Sequence, residues 1–355
     1  MPENRQNRTP VAAVHTFLDS RLQTLAPEWV PLSLAAGRVL AETVVSPVDV
    51  PSFPKSAMDG FALRAADTVA SCELAIVGES FPAKPFAREL QPGEAVRIAT
   101  GAPVPPSADA ILMIESAEVR DNSVRAQTTL TTGKHVIRVG EDIARGTQVL
   151  PAKRVLRPQD IGVLASIGVA NVSVIARPRV AILVTGNELL PPGTAPTGFE
   201  IVDSNSPMLA ALIVRDGGIP QHTRYLRDEF STVRDAIAHA TTIADAVIVT
   251  GGTSVGAEDH APRAVAELGE LAVHGVALRP GTPTGIAFVP RTANDMNTVP
   301  VFLLPGNPVA CLCAYDLFAS RALRKQGGRP HELPYRTHTF TLTETIRSAT
   351  GRVDY

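Results

Sequence analysis

Residues 250–259 gather glycines, hydroxyls and carboxylates in one short run: Thr250-Gly251-Gly252-Thr253-Ser254, then Gly256, then Glu258 and Asp259. Glycines let a backbone come close to an anion, and a loop opening from a strand turns its N–H groups outward. The two carboxylates just beyond point to a cation held beside that anion. Two other loops carry related chemistry, Thr185-Gly186-Asn187-Glu188 and Pro305-Gly306-Asn307-Pro308. Taken singly, such Gly and Pro residues do no more than turn the chain. Three such loops at one sheet edge predict an anion cradle, and the helix expected after Asn307 adds a favourable dipole for phosphate. Val202-Asp203-Ser204-Asn205 reads first as a helix cap, with a ligand role for Asp203 as the sharper alternative. No G-x-G-x-x-G follows a strand and no G-x-x-x-x-G-K-[ST] occurs, which argues against dinucleotide enzymes and P-loop NTPases.

The elements that must position these loops are legible around them. Ala246–Val249 and Val180–Val184 are short apolar β-branched runs of the kind buried on both faces of a sheet. Helices are predicted over 207–216, 228–240, 262–268 and 308–325, an extended segment over 271–278, and a hairpin joining 286–289 to 301–304. This alternation predicts a mostly parallel, doubly wound α/β sheet. Upstream, 11–25 has helical spacing, and 160–167 reads as a short helix ahead of a strand at 172–175. Between 45 and 150, apolar runs at 74–77, 95–98, 110–114 and 136–139 are broken by Pro and Gly, which reads as a β-rich insert. Gly327-Gly328-Arg329-Pro330 reads as a linker, after which 335–342 alternates like a strand.

The chain has 355 residues, a net charge of −2, 45% apolar and 19% charged residues, enough for two or three domains and without a basic surplus for nucleic acid. No apolar run reaches membrane-spanning length, and the first residues lack a secretory h-region. Cys72, Cys311 and Cys313 have neither zinc nor disulfide spacing, which fits a reducing cytoplasm.

Eight segments together resemble one family in order and spacing: PSFPKSAMDGFA, RIATGAPVPPSADAIL, VGEDIARG, VTGNELL, IVDSNSPML, VTGGTSVGAEDH, LRPGTPTG and LLPGNPVA. The chain resembles the molybdopterin molybdenumtransferases, the MoeA or gephyrin E-domain family. The resemblance implies Mg²⁺-dependent insertion of molybdate into adenylylated molybdopterin with release of AMP. It implies a multidomain fold: a linking subdomain from 1–47 and 144–177, a β-rich insert at 48–143, a MogA-like α/β subdomain at 178–326, and at 327–355 the start of a C-terminal β-barrel subdomain that is only begun. It further implies a cytoplasmic homodimer, hand-over from a MogA-type adenylyltransferase, and molybdoenzyme acceptors. Carried onto this sequence, Asp59, Glu188, Asp259 and Arg279 are the expected catalytic residues, and Glu188, Asp203 and Asp259 the expected metal ligands, with Asp59 also placed to reach the metal. Substrate contacts are expected from Thr100, Gly101, Asp142, Thr185, Gly186, Ser204, Asn205, Thr250, Gly251, Gly252, Ser254, Gly256, Pro305, Gly306 and Asn307, with Glu141 beside Asp142. The sequence departs from the family pattern at Asn187 (usually Asp), at Ala257-Glu258-Asp259 (usually Asp-x-Asp) and at Arg279 and Thr282 (usually both Lys). These changes define the alternative, a non-catalytic pterin- or nucleotide-binding relative serving as carrier or scaffold.

Overall fold

The computed structural model describes residues 8–69, 72–251, 260–292, 297–345, 348 and 350–355. It divides into two compact units: Met1–Ala41 with Lys153–Leu156 and Val172–Tyr355, and Glu42–Ala152 with Arg157–Asn171.

The first unit is built on a six-stranded sheet in the order Ile219–Leu226, Arg179–Thr185, Ala246–Thr250, Thr298–Leu304, Gly285–Pro290, Glu270–His274. The first four strands are parallel, and the hairpin strand Gly285–Pro290 runs antiparallel to both neighbours. Apolar side chains alternate between two cores, as the pleat requires. Val180, Ile182 and Val184 face Leu209, Ile213 and Phe318, whereas Ala181, Leu183, Val247 and Val249 face Val233, Ile237 and Val265. Helices Asn205–Arg215, Phe230–Ile243, His260–Leu268 and Pro308–Ala314 cover the two faces. This is the doubly wound arrangement expected from the strand–helix alternation.

Several elements differ in detail from expectation. The edge strand Ile219–Leu226 was not anticipated: IPQHTRYL carries Pro220 and polar residues because only one side of it pairs. The extended segment expected over 271–278 is two strands, Glu270–His274 and Leu278–Arg279, separated where Gly275 takes a φ of +90°. The closing helix runs as Pro308–Ala314, a π-helical turn Tyr315–Ala319, and Ser320–Gln326. The π turn buries Tyr315 and Asp316 beside Asp216, which also receives Arg215 at 2.8 Å and Arg324 Nε at 2.8 Å. Tyr315 donates its hydroxyl to Asp216 at 3.0 Å.

Residues 335–342 are not a strand; they are exposed and no strand pairs with them among the described residues, so their alternation is not expressed. The end of the chain instead lies on this unit: Val353–Asp354 pairs in parallel with Leu278–Arg279, and Tyr335 and Tyr355 both donate to Asp316 Oδ2, at 2.8 and 3.1 Å.

The second unit contains a six-stranded sheet in the order Ala110–Met113, Gly60–Leu63, Glu94–Ile98, Glu73–Ser80, Ser123–Ala126, Ala117–Arg120. Phe61, Leu63, Leu74, Leu112 and Val124 form its core. The helix Pro158–Ser166 also belongs here, its first turn held by Asp160 Oδ2, which accepts from Arg157 N at 2.9 Å.

Candidate functional site

Register brings the three ligand-type loops of the α/β unit to one edge. Val184 stands opposite Thr250, and Thr250 opposite Leu304. The loops opening at Gly186, Gly251 and Pro305 therefore leave the sheet at the same level, at the carboxyl ends of parallel strands. Gly251 adopts φ +85°, and a Cβ there would run into the Thr185 carbonyl oxygen, so only glycine permits this approach of two strand ends.

Asn205 ties the edge together. Its Nδ2 donates to Thr250 Oγ1 at 3.0 Å and to the Gly306 carbonyl at 2.8 Å. Its Oδ1 and the Thr185 hydroxyl oxygen are buried and without a hydrogen-bond partner among the described residues. Buried polar atoms are ordinarily satisfied, so two orphans at one strand edge single it out as a candidate ligand site. Asn307 caps the helix that follows, its Oδ1 accepting from Val309 N at 3.1 Å and Ala310 N at 3.4 Å. Pro305 is buried, whereas Gly306 and Asn307 are exposed.

Asp203 is buried and fully used by the protein. Oδ1 accepts from Asn205 N at 2.9 Å and Ser206 N at 3.2 Å; Oδ2 accepts from the Tyr225 hydroxyl at 2.9 Å and from the Ser206 hydroxyl. Within the segment 202–205 expected to cap this helix, the cap position is Ser204, exposed and making no capping bond, and Asp203 supplies the acceptor one residue earlier. Asp203 thereby sets the direction of Asn205. Burial, and the bond to the neighbouring Asp203 carboxylate, raise the Tyr225 phenol above its ordinary pKa. Cys311 lies under the edge, its thiol pushed up to about 12, chiefly by burial.

Glu188 is exposed and curls over Gly186: a Cβ on Gly186 would lie 3.0 Å from Glu188 Oε2. Asn187 Oδ1 accepts from Asp228 N at 3.2 Å, a loop-fastening role. Arg279 is exposed in the short strand that receives Val353–Asp354. Its loop turns at Gly281, where a Cβ would lie 3.5 Å from the Ala310 carbonyl oxygen, close to the helix after Asn307. Thr282 spends its hydroxyl on the Leu278 carbonyl at 2.7 Å. Gly252, Ser254, Gly256 and Asp259, expected on the same edge, lie outside the described residues.

The β-rich unit holds the other candidates. Asp59 Oδ1 accepts from Thr100 N at 2.7 Å, and that bond, with the Thr100 hydroxyl, holds the carboxyl below its usual range. Gly60 must be glycine, since a Cβ would strike the Leu112 carbonyl oxygen of the adjacent strand. Gly101, at φ +78°, donates to the Ser56 carbonyl at 2.8 Å, joining the SAMDG and TGAP segments. Asp142 is exposed and its N–H is fixed on the Val50 carbonyl at 3.0 Å; Glu141 binds back to Arg138 N at 2.9 Å.

Among the described residues no three His, Cys, Asp or Glu side chains gather as a metal cluster. Tyr225 was not foreseen; it reaches Asp203 from a strand that sequence periodicity does not reveal. Among the described residues no helix is long and apolar enough to cross a membrane.

Two family models match the chain: the MoeA N-terminal region (domain I and II) over residues 9–168, and a "probable molybdopterin binding domain" over 181–325. Molybdopterin molybdenumtransferase 2 of Mycobacterium tuberculosis is 36% identical over 343 residues, covering 93% of this chain and 82% of the relative. The molybdopterin molybdenumtransferase of Haemophilus influenzae is 32% identical, covering 92% and 80%. The crystal structure of the molybdopterin biosynthesis MoeA protein of Pyrococcus horikoshii superposes with a TM-score of 0.77 at 31% identity, covering 90% of this chain and 81% of that one. The relatives span both units, and the chain belongs to the molybdopterin molybdenumtransferase family, a family of transferases.

Proposed function

We propose that this chain inserts molybdate into adenylylated molybdopterin in a Mg²⁺-dependent step that releases AMP. The observation that carries the reading is the Asn205 junction of three strand ends, with Asn205 Oδ1 and Thr185 Oγ1 left for a ligand. The Gly186, Gly251 and Gly306 loops bind the phosphate-bearing part of the substrate through backbone N–H groups. Asn205 and Thr250 hold the register of the cradle, and Asp203 with Tyr225 holds Asn205. Arg279 supplies a guanidinium for an oxyanion. Asp59, Thr100 and Asp142, in the β-rich unit, are proposed as substrate contacts on the resemblance alone.

The residues present fit Mg²⁺ in one manner. Asp203 has no oxygen to spare, while Glu188 is exposed and no protein donor among the described residues takes its carboxylate. Mg²⁺ is commonly held by one or two carboxylates together with substrate phosphates and waters. Glu188 is therefore the carboxylate assigned to it, with Asp259 added on the resemblance, and Asp203 serves as a positioning residue. When bound, the ion would polarise the phosphoanhydride and screen the departing AMP. A homodimer, a cytoplasmic location, hand-over from a MogA-type adenylyltransferase and delivery to molybdoenzymes are proposed on the resemblance.

The test mixes purified protein with adenylylated molybdopterin, Mg²⁺ and molybdate and follows AMP. Molybdate-dependent AMP release is expected. Substrate binding without that release would overturn the enzyme reading in favour of a carrier, the reading that Asn187, Ala257 and Thr282 favour.

A further inference from the structure

A second polar cavity lies in the α/β unit, built from residues that the loops at the sheet edge do not include. It has a volume of about 360 Å³, and Lys153, Lys325, Arg329 and His331 line it together with Thr24 and the apolar Val39. No carboxylate is among its lining residues. A smaller recess, lined by Arg38, Arg177 and again Arg329, adjoins it through Val39 and Ile175.

The guanidinium groups here are short of counter-charge. Arg329 donates to the Gly37 carbonyl at 2.6 Å, and Arg177 to the carbonyls of Gly217 at 3.0 Å and Gly218 at 2.6 Å. Among the described residues neither Arg177 nor Arg329 has a carboxylate partner of its own. Asp216, the nearest buried acid, is taken by Arg215, Arg324 and the Tyr315 hydroxyl. Arg38 pairs with Glu28, yet its Nε is buried and unpartnered, and its side chain is only 11% exposed. Asp19 is engaged by Arg321 Nε at 3.0 Å; His331 Nδ1 stands 3.8 Å from its carboxylate, and the Lys325 ammonium donates to its backbone carbonyl. Burial and the neighbouring Arg177, Arg324 and Arg38 depress the Arg329 pKa, and Asp216 offsets them only in part.

The surroundings are shaped to keep these cations in place. Gly217, at φ +88°, leaves room that a Cβ would take from the Arg329 side chain. Lys153 itself sits at φ +66°, a conformation that non-glycine residues rarely adopt, and it is exposed with no side-chain bond of its own among the described residues. The carbonyls at the end of helix Ser320–Gln326 do not supply the missing negative charge. Arg329 N takes the Arg324 carbonyl at 2.7 Å, and Gly328 N takes that of Lys325 at 3.1 Å.

We propose that this cavity is a binding site for a phosphate dianion, free or carried by a small ester, received by Lys153, Lys325, Arg329 and His331. Like charges gathered in one cavity repel each other, and an oxyanion that accepts from their guanidinium and ammonium donors offsets that repulsion. The volume admits a small phosphate monoester as well as the free ion.

The experiment titrates the full chain at low ionic strength with inorganic phosphate and, separately, with glycerol phosphate, following heat of binding and thermal midpoint. The variants are Lys153→Gly, which removes the ammonium and suits the left-handed backbone, and His331→Ala. Saturable binding in the wild type, weakened about tenfold or more in each variant with the ligand-free midpoint retained, is expected. Tighter binding of the ester than of free phosphate identifies the ester as the ligand class, and the reverse identifies the ion. Asn205→Ala, at the strand edge, is expected to leave this phosphate binding unchanged. Absence of saturable binding, wild-type affinity in Lys153→Gly, or loss of binding only in Asn205→Ala would each overturn the proposal.

Discussion

The side-chain amide of Asn205 donates to the hydroxyl of Thr250 at 3.0 Å, joining the start of one helix to the end of a strand 45 residues away. The same amide reaches the Gly306 carbonyl, so one nitrogen closes two strand-end loops against each other. Replacing Asn205 by Ala removes both bonds and takes a donor from the buried Thr250 hydroxyl. A loss of about 1–3 kcal/mol in stability is expected, with molybdate-dependent AMP release falling further than the folded fraction does. Denaturant unfolding and turnover measured on the same preparation separate the two effects.

Gly251→Ala tests how closely the strand ends approach. The added methyl meets the Thr185 carbonyl, and φ +85° is unfavourable for alanine. A destabilisation of about 1–3 kcal/mol is expected, larger if the clash is not relieved. Unchanged unfolding midpoints would show that the loop relaxes freely at this point.

Asp59 is exposed, so its replacement is expected to spare the fold. Asp59→Asn keeps an oxygen for the Thr100 N–H but loses the charge; turnover should fall sharply at an unchanged thermal midpoint. The sign of the pH effect follows from the carboxyl being held low by Thr100. A lowered carboxyl pKa contributes stability that is present above the unfolded value and is lost as pH falls through the folded value. Protection of the Thr100 amide, taken relative to its intrinsic exchange rate at each pH, should therefore fall on acidification through that window. Protection that stays constant through it would contradict the assignment.

Glu188→Gln removes the one expected metal ligand whose oxygens are unclaimed among the described residues. The variant should fold normally, since Glu188 is exposed, and should need a higher Mg²⁺ concentration for half-maximal turnover. An unaltered Mg²⁺ dependence would remove Glu188 from the metal site.

The three cysteines should differ in reactivity. Cys72 is exposed, whereas Cys311 and Cys313 are buried, with thiols raised chiefly by burial, Cys311 to about 12. Thiolate is the reactive form. Alkylation of the native protein at neutral pH should label Cys72 and spare the other two until the protein is unfolded, as peptide mass mapping would show.

The sheet was legible wherever burial on both faces forces a continuous apolar run. Ala246–Thr250 is buried along its whole length and reads as a strand from sequence alone. Ile219–Leu226 escapes the same reading because an edge strand tolerates proline and polar residues. The strand-end loops were found by glycine and hydroxyl content, but their closure by Asn205 was not, since a side-chain bond across 45 positions leaves no periodic trace. Asp203 shows the limit most clearly. Its residue type suits a cap and a metal ligand equally, and only the donors around it, Ser206 and Tyr225 among them, decide how its oxygens are used.

The division into two units has a consequence for how the molecule comes apart. The backbone passes from one unit to the other between residues 41 and 42, 152 and 153, 156 and 157, and 171 and 172. A protease nick at any single passage therefore frees neither unit, because the remaining passages still tether them. Nor can residues 42–152 be expressed alone as the whole smaller unit, since the helix Pro158–Ser166 returns to it from beyond a short excursion. Separating the two by cleavage requires all four passages to be opened.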